Sequence, residues 1–307
     1  MPEYVDTFAR NAAGNLIINP RKIDVQSFWL TPDAPANPIN LAAAAGAASG
    51  PVTFSVSQDG PFEAFYLVHD RQVTATPNVQ SAQDCFVDIY DEGAKLRLVN
   101  RAVHIDTLFG RKLTAPPAAG VLQAGVLPHL LAETLWVHAT RSLVMQFVNG
   151  AAAVAQTIWP IVVGRRFYGY ANPSAEMAQT VEKRSARARL TTPFWMVPDN
   201  ADPTLLASAT GVAFIRTPTV GHFEWHKLMV LSTGAFRFQV TDSRNGRRIT
   251  NDWVHVNAGT GAGPVPLVLP EPILFQPNTQ VRLDFVDLSV APNTIYFTLA
   301  GRMIYVG

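Results

Sequence analysis

His222, Glu224 and His226 stand at alternate positions in "GHFEWH". A strand places such a trio on one face. Two imidazoles and a carboxylate side by side are a donor set for zinc or iron. A polar strand face explains the same spacing without a metal. The related stretch "GPFEAF" (60–65) lacks both histidines, and no fourth ligand is legible. The reading is therefore no metal and no cofactor, with these three residues as the candidates a metal would use. Other stretches are weaker. "GTGAGP" (259–264) has the glycines of a phosphate loop, but prolines follow where a helix must start. Asp84, Asp88, Asp91 and Glu92 cluster as paired carboxylates do in glycoside hydrolysis, and a strand edge also accounts for them. There is no G-x-S-x-G and no H-E-x-x-H. No catalytic residue is assigned, and the chain is expected not to be an enzyme.

Two further histidines explain how the chain is organised. "NRAVHI" (100–105) and "NDWVHV" (251–256) share Asn, Val and His in register. "GPFE" answers "GHFE", and "TIWPIVVGRRFY" (157–168) answers "TIYFTLAGRMIY" (294–305), in the same order along the chain. Collinear matches of this kind mark an internal duplication. His104 and His255 are then twins. A twin in both copies points to a structural role, with a ring nitrogen satisfying a backbone or Asn100/Asn251 partner.

Each copy holds short β-branched and aromatic runs, such as "CFVDIY", "LVMQF", "FRFQVT" and "VRLDF", separated by turn pairs such as Asn245-Gly246. The fold class read from this is all-β: two tandem β-sandwich, jelly-roll-like modules from internal duplication. Four segments follow. Residues 1–49 are an extended, apolar-bearing N-terminal arm, and 50–170 the first module. Residues 171–204 are a linker containing a short helix (173–189), and 205–307 the second module. A second short helix is expected at 203–209.

Composition narrows the partners. The chain has 307 residues, a formal net charge of +1, and only 15% charged against 48% apolar residues. Near-neutrality argues against bulk binding of nucleic acid or anionic membrane. No ~18-residue apolar window predicts a membrane span. The N-terminal stretch lacks the apolar core of a signal peptide. One cysteine, Cys85, rules out an intrachain disulfide and suits a reducing cytosol. The low charge fraction points to surface covered by neighbours. The interface candidates are Phe28 and Trp29 in the arm, and Arg244, Arg247 and Arg248 in the turn "DSRNGRR".

The second copy resembles virion structural proteins of tailed bacteriophages and gene transfer agents. The resemblance lies in "FRFQVTDSRNGRRITNDWVHV", "LPEPILFQPNTQVRLDFVDLS" and "NTIYFTLAGRMIYVG" and covers about the C-terminal third of the chain. It implies an assembly component of head, neck or tail, made in the host bacterial cytoplasm and located in the virion. Its partners would be itself, as a homo-oligomer, and other virion proteins, with no small molecule. Two alternatives stand beside it. One is a carbohydrate- or receptor-binding sandwich using Trp225, Trp253 and Tyr296. The other is a metal-dependent enzyme using His222, Glu224 and His226.

Overall fold

The computed structural model describes residues 8–10, 16–18, 25–76, 81–112, 126–127, 129–167, 183, 186, 190–261 and 265–305. Strands β1 (Phe8–Arg10) and β2 (Leu16–Ile18) pair with each other. The first module runs β3 (Val25–Leu30), β4 (Ile39–Leu41), β5 (Ala48–Ser55), β6 (Phe62–Val73), β7 (Cys85–Asp91), β8 (Leu96–Arg97) and β9 (Val103–His104). It continues with helix α1 (Ile105–Leu108), β10 (Gly110–Lys112), β11 (Val126–Leu127), β12 (His129–Val137), β13 (Ser142–Asn149) and β14 (Gln156–Phe167). The second module runs β15 (Thr191–Met196), β16 (Thr204–Leu205), β17 (Thr210–Arg216), β18 (His222–Ser232), β19 (Phe236–Asp242), β20 (Arg247–Arg248) and β21 (Val254–His255). Helix α2 (Val256–Gly259), β22 (Leu267–Phe275), β23 (Gln280–Asp287) and β24 (Asn293–Ile304) complete it.

Each module is two facing sheets, and the strand order is the same in both. In the first, β3–β14–β6–β12 faces β5–β13–β7–β8, with β4 on β14 and β9 on β7. In the second, β15–β24–β18–β22 faces β17–β23–β19–β20, with β16 on β24 and β21 on β19. The all-β duplicated double sandwich expected from the sequence is therefore the observed fold. Alternation builds it: β13 buries every second residue, and Leu143, Met145 and Phe147 point inward. The second core is a phenylalanine cluster, with Phe285 and Phe297 centroids 5.9 Å apart and Phe238 and Phe297 5.5 Å apart.

The paired motifs have a physical cause. A Cβ on Gly164 would lie 2.1 Å from the Glu63 carbonyl oxygen, and one on Gly301 would lie 1.9 Å from that of Glu224. Only glycine allows this approach at the bulge that both modules carry. The arginine that follows then meets the glutamate side chain: Arg165 Nε to Glu63 at 2.8 Å, and Arg302 to Glu224. "GPFE" with "GRR" and "GHFE" with "GRM" are thus one bulge built twice.

Some segments differ from expectation. Residues 25–41, expected within an arm, supply β3 and β4, which pair with β14. The prolines at 32, 35 and 38 separate two short strands and hide them from a periodicity reading. Residues 191–196, expected within a linker, form β15 on β24. The short helix expected at 203–209 is instead strand β16 and a turn. Lys183 and Ala186 are helical, and the rest of the expected helix 173–189 lies outside the described residues. No helix among the described residues is long and apolar enough to cross a membrane.

Candidate functional site

The two modules meet along a seam, and the ionisable groups of the first module converge there. β6 contributes His69 and Arg71 on one face, two residues apart. Asp84 precedes β7, His104 ends β9, and Asp106 lies in the first turn of α1. Arg71 Nη2 donates to Asp106 at 2.8 Å, and His69 Nε2 lies 3.1 Å from the other oxygen of the same carboxylate. His69 Nδ1 lies 3.1 Å from the Gly110 carbonyl oxygen, so the ring is held between a backbone acceptor and the carboxylate. Burial works against the charge of Asp106. The His69 N–H and the Arg71 guanidinium outweigh it and hold the carboxyl well below the usual range.

His104 links this buried group to solvent. Its Nδ1 accepts the Asp106 backbone N–H at 3.3 Å and so caps α1. The ring proton therefore sits on Nε2, which meets Asp84 at 3.3 Å. The ring stacks on Tyr296 of β24, centroids 4.4 Å apart. The His104 N–H, and after it the Tyr296 hydroxyl, hold Asp84 below the ordinary carboxylate range despite partial burial. Burial and then the Asp84 carboxylate push the Tyr296 phenol upward. Asp84 is the solvent-facing end of the cluster, its side chain 47% exposed. Nearby, burial pushes Asp202 up even though Arg101 pairs with it at 2.5 Å.

His255 caps α2 in the same way, accepting the Asn257 N–H at 3.2 Å. The twin histidines share that structural task. The rest of the cluster has no twin. Strand register sets Val230, Ser232, Ala235 and Asn257 at the places of His69, Arg71, Asp84 and Asp106. Sequence reasoning passed over these four as a group. Aligning the repeats and asking which charges exist in only one copy would have found them.

The residues singled out by sequence lie elsewhere. His222, Glu224 and His226 share the outward face of β18, but the bulge at Trp225–Lys227 displaces His226. Glu224 accepts from His226 Nε2 at 2.9 Å and from Arg302. No group among the described residues gathers three such ligands for a metal. Asp88 pairs with Arg97 at 2.6 Å, and Asp91 accepts the Ala94 N–H at 3.0 Å, so the acidic cluster is divided among separate tasks. Trp225 is buried with its Nε1 bonded to the Lys227 carbonyl, and Tyr296 is buried against His104, so these aromatics do not share an open groove. A groove of about 740 Å³ does lie between Asp91, Trp136, His138, Arg141 and Tyr305. Trp136 is only 5% exposed there, too little for a sugar to stack on. Phe28 turns in against Phe62, Trp29 turns out, and Arg247 and Arg248 lie exposed on β20. Arg244 reaches Gln276. In "GTGAGP", Gly259 ends α2, and residues 262–264 lie outside the described set.

No family model and no curated protein matches this chain. Solved structures do. A peptide-N(4)-(N-acetyl-β-D-glucosaminyl) asparagine amidase is 6% identical with a TM-score of 0.42, over 91% of this chain and 96% of that one. PNGase F, a glycosylasparaginase from Flavobacterium meningosepticum, is 8% identical with a TM-score of 0.40 over the same shares. An infectious bursal disease virus structure is 10% identical with a TM-score of 0.22, over 99% of this chain and 73% of that one. These values assign no activity to this chain. They do correct one expectation: that the chain is not an enzyme. The solved structures that match along 91% of this chain are amidase structures.

Proposed function

We propose that the chain is a structural subunit of a bacteriophage-type virion, a head decoration or minor capsid protein or a neck or tail component, acting through protein–protein contacts. The observation that carries this reading is apolar surface on the second module. On β17 Ala213 and Ile215 point into the core, while Val212 and Phe214 stand on the solvent face between Thr210 and Arg216. An antiparallel sheet facing water carries polar residues there. Leu206, Val220, Val268, Leu274 and Val290 are exposed on the same module. Val212 and Phe214 side by side on one strand face, on a chain with little charge, suit a surface that neighbours cover.

The double substitution Val212→Lys with Phe214→Lys tests it. Both side chains are on the surface, so thermal unfolding should stay within about 0.5 kcal/mol of the parent. The variant should then be lost from purified particles, measured as copies per particle by mass spectrometry. Incorporation at the parental level by a folded variant would refute the use of this face.

A further inference from the structure

The seam inside the chain has two unlike sides, called donor and acceptor for the direction of the Lys227 and Arg302 bonds across it. The acceptor side belongs to the first module: residues 98–100 and β12. The donor side belongs to the second: β15, β18 and β24. The Trp195 N–H donates to the Leu98 carbonyl at 3.0 Å, and the Trp195 carbonyl accepts the Asn100 N–H at 3.3 Å. The Asn100 side chain donates to the Val197 carbonyl at 2.8 Å and accepts the Val197 N–H at 3.0 Å. Lys227 Nζ donates to the Leu130 carbonyl at 2.5 Å, and burial pushes its ammonium down to about 8. Arg302 Nη1 donates to Glu133 at 2.8 Å. Trp195, Val197, Met229 and Ala300 complete the first module's core.

Because the modules are duplicates, each carries both sides, and one of each is unused. Trp29 lies opposite Val163 as Trp195 lies opposite Ala300. Tyr66 takes the place of Lys227, and Arg165 with Glu63 the place of Arg302 with Glu224. On the acceptor side, Val268 opposes Lys227 as Leu130 opposes Tyr66, and both strands bulge at the next step. Three residues on, Glu271 stands where Glu133 does. Asn251 of "NDWVHV" answers Asn100 of "NRAVHI". Trp29 is 61% exposed where Trp195 is 2%. Asn251, Val268 and Glu271 are exposed as well. The spare donor side is on the first module and the spare acceptor side on the second, and the chain's own seam already joins the other two.

We infer that copies of this chain associate head to tail: Trp29, Tyr66 and Arg165 of one copy seat on Asn251, Val268 and Glu271 of the next, repeating the intramolecular seam. Arg165 meets Glu271 as Arg302 meets Glu133, Tyr66 offers a hydroxyl to the Val268 carbonyl, and Trp29 is buried. A heterologous contact of this kind closes into a ring or runs on as a filament. The inference rests on the assembly reading and names a second copy as one partner.

Thr31 stands where Val197 does, so Thr31 and Asn251 come together only between copies. Cys85 is buried and does not interfere. Mixing full-length Thr31→Cys and Asn251→Cys chains and oxidising them should give a disulfide dimer containing one of each, with little from either alone. In sedimentation equilibrium of the parent, Trp29→Ala should raise the dissociation constant more than about 10-fold. No mixed dimer, equal dimers from each single variant, or a parent monomeric at all concentrations would overturn the contact. The assay uses purified chain alone, so its failure is distinct from absence of the chain from particles.

Discussion

Replacing Asp106 by Asn should lower the stability of the folded chain by about 3–5 kcal/mol at neutral pH, the range for breaking a buried ion pair. The Asp106 carboxylate receives Arg71 Nη2 at 2.8 Å and His69 Nε2 at 3.1 Å, and the Arg71 side chain is 1% exposed. Removing the negative charge leaves the Arg71 guanidinium buried among neutral acceptors, the Gln83 carbonyl and the Gln156 side chain. The pH dependence has a definite sign. The folded carboxyl titrates below the ordinary aspartate value of about 3.9, so its contribution is fully present above that value and is lost as pH falls through the folded one. Denaturant unfolding of parent and Asp106→Asn should therefore differ most near neutrality and converge as the solution is acidified below about pH 4. Equal stability at pH 7 would mean that the cluster is not held by charge.

The second large effect is at the seam. Trp195→Ala should cost about 3–5 kcal/mol, the usual loss for emptying a buried tryptophan site. Trp195 sits in the first module's core although it belongs to a strand of the second. Its loss should also uncouple the modules, so that one calorimetric transition becomes two. Trp29→Ala at the equivalent position should change monomer stability by less than about 0.5 kcal/mol, as surface substitutions do. Scanning calorimetry of the two variants at low concentration makes the comparison. Similar losses in both would show that the seam is not the asymmetric feature described above.

The parts of the fold legible in sequence are those encoded locally. Alternation revealed β7, β13, β19 and β23. Asn245-Gly246 marked the β19–β20 turn, where Gly246 takes a φ of +66°. The duplication was legible because its motifs answer local demands: a glycine under a neighbouring carbonyl, an arginine for a glutamate, a histidine capping a short helix. What escaped depends on pairing over distance. β3 and β4 are short, separated by prolines, and identified only by β14 more than a hundred residues away. The seam cluster escaped because Tyr296 comes from the other module and because Asp84, seen locally, is one acid among four. The alternation in "HFEWH" does turn His222 and Glu224 outward, but the bulge that displaces His226 is invisible in the local sequence. Arg302, far along the chain, takes up Glu224.

The assembly reading and the head-to-tail contact share one claim: this chain works among neighbours inside a particle. Quantitative mass spectrometry across a density gradient of particles from cells that make the chain tests it most directly. The chain should band with the particles at more than one copy each and stay after a high-salt wash, since apolar contacts are not screened. Recovery of the intact chain only in the soluble fractions, with particles of full composition lacking it, would contradict the account.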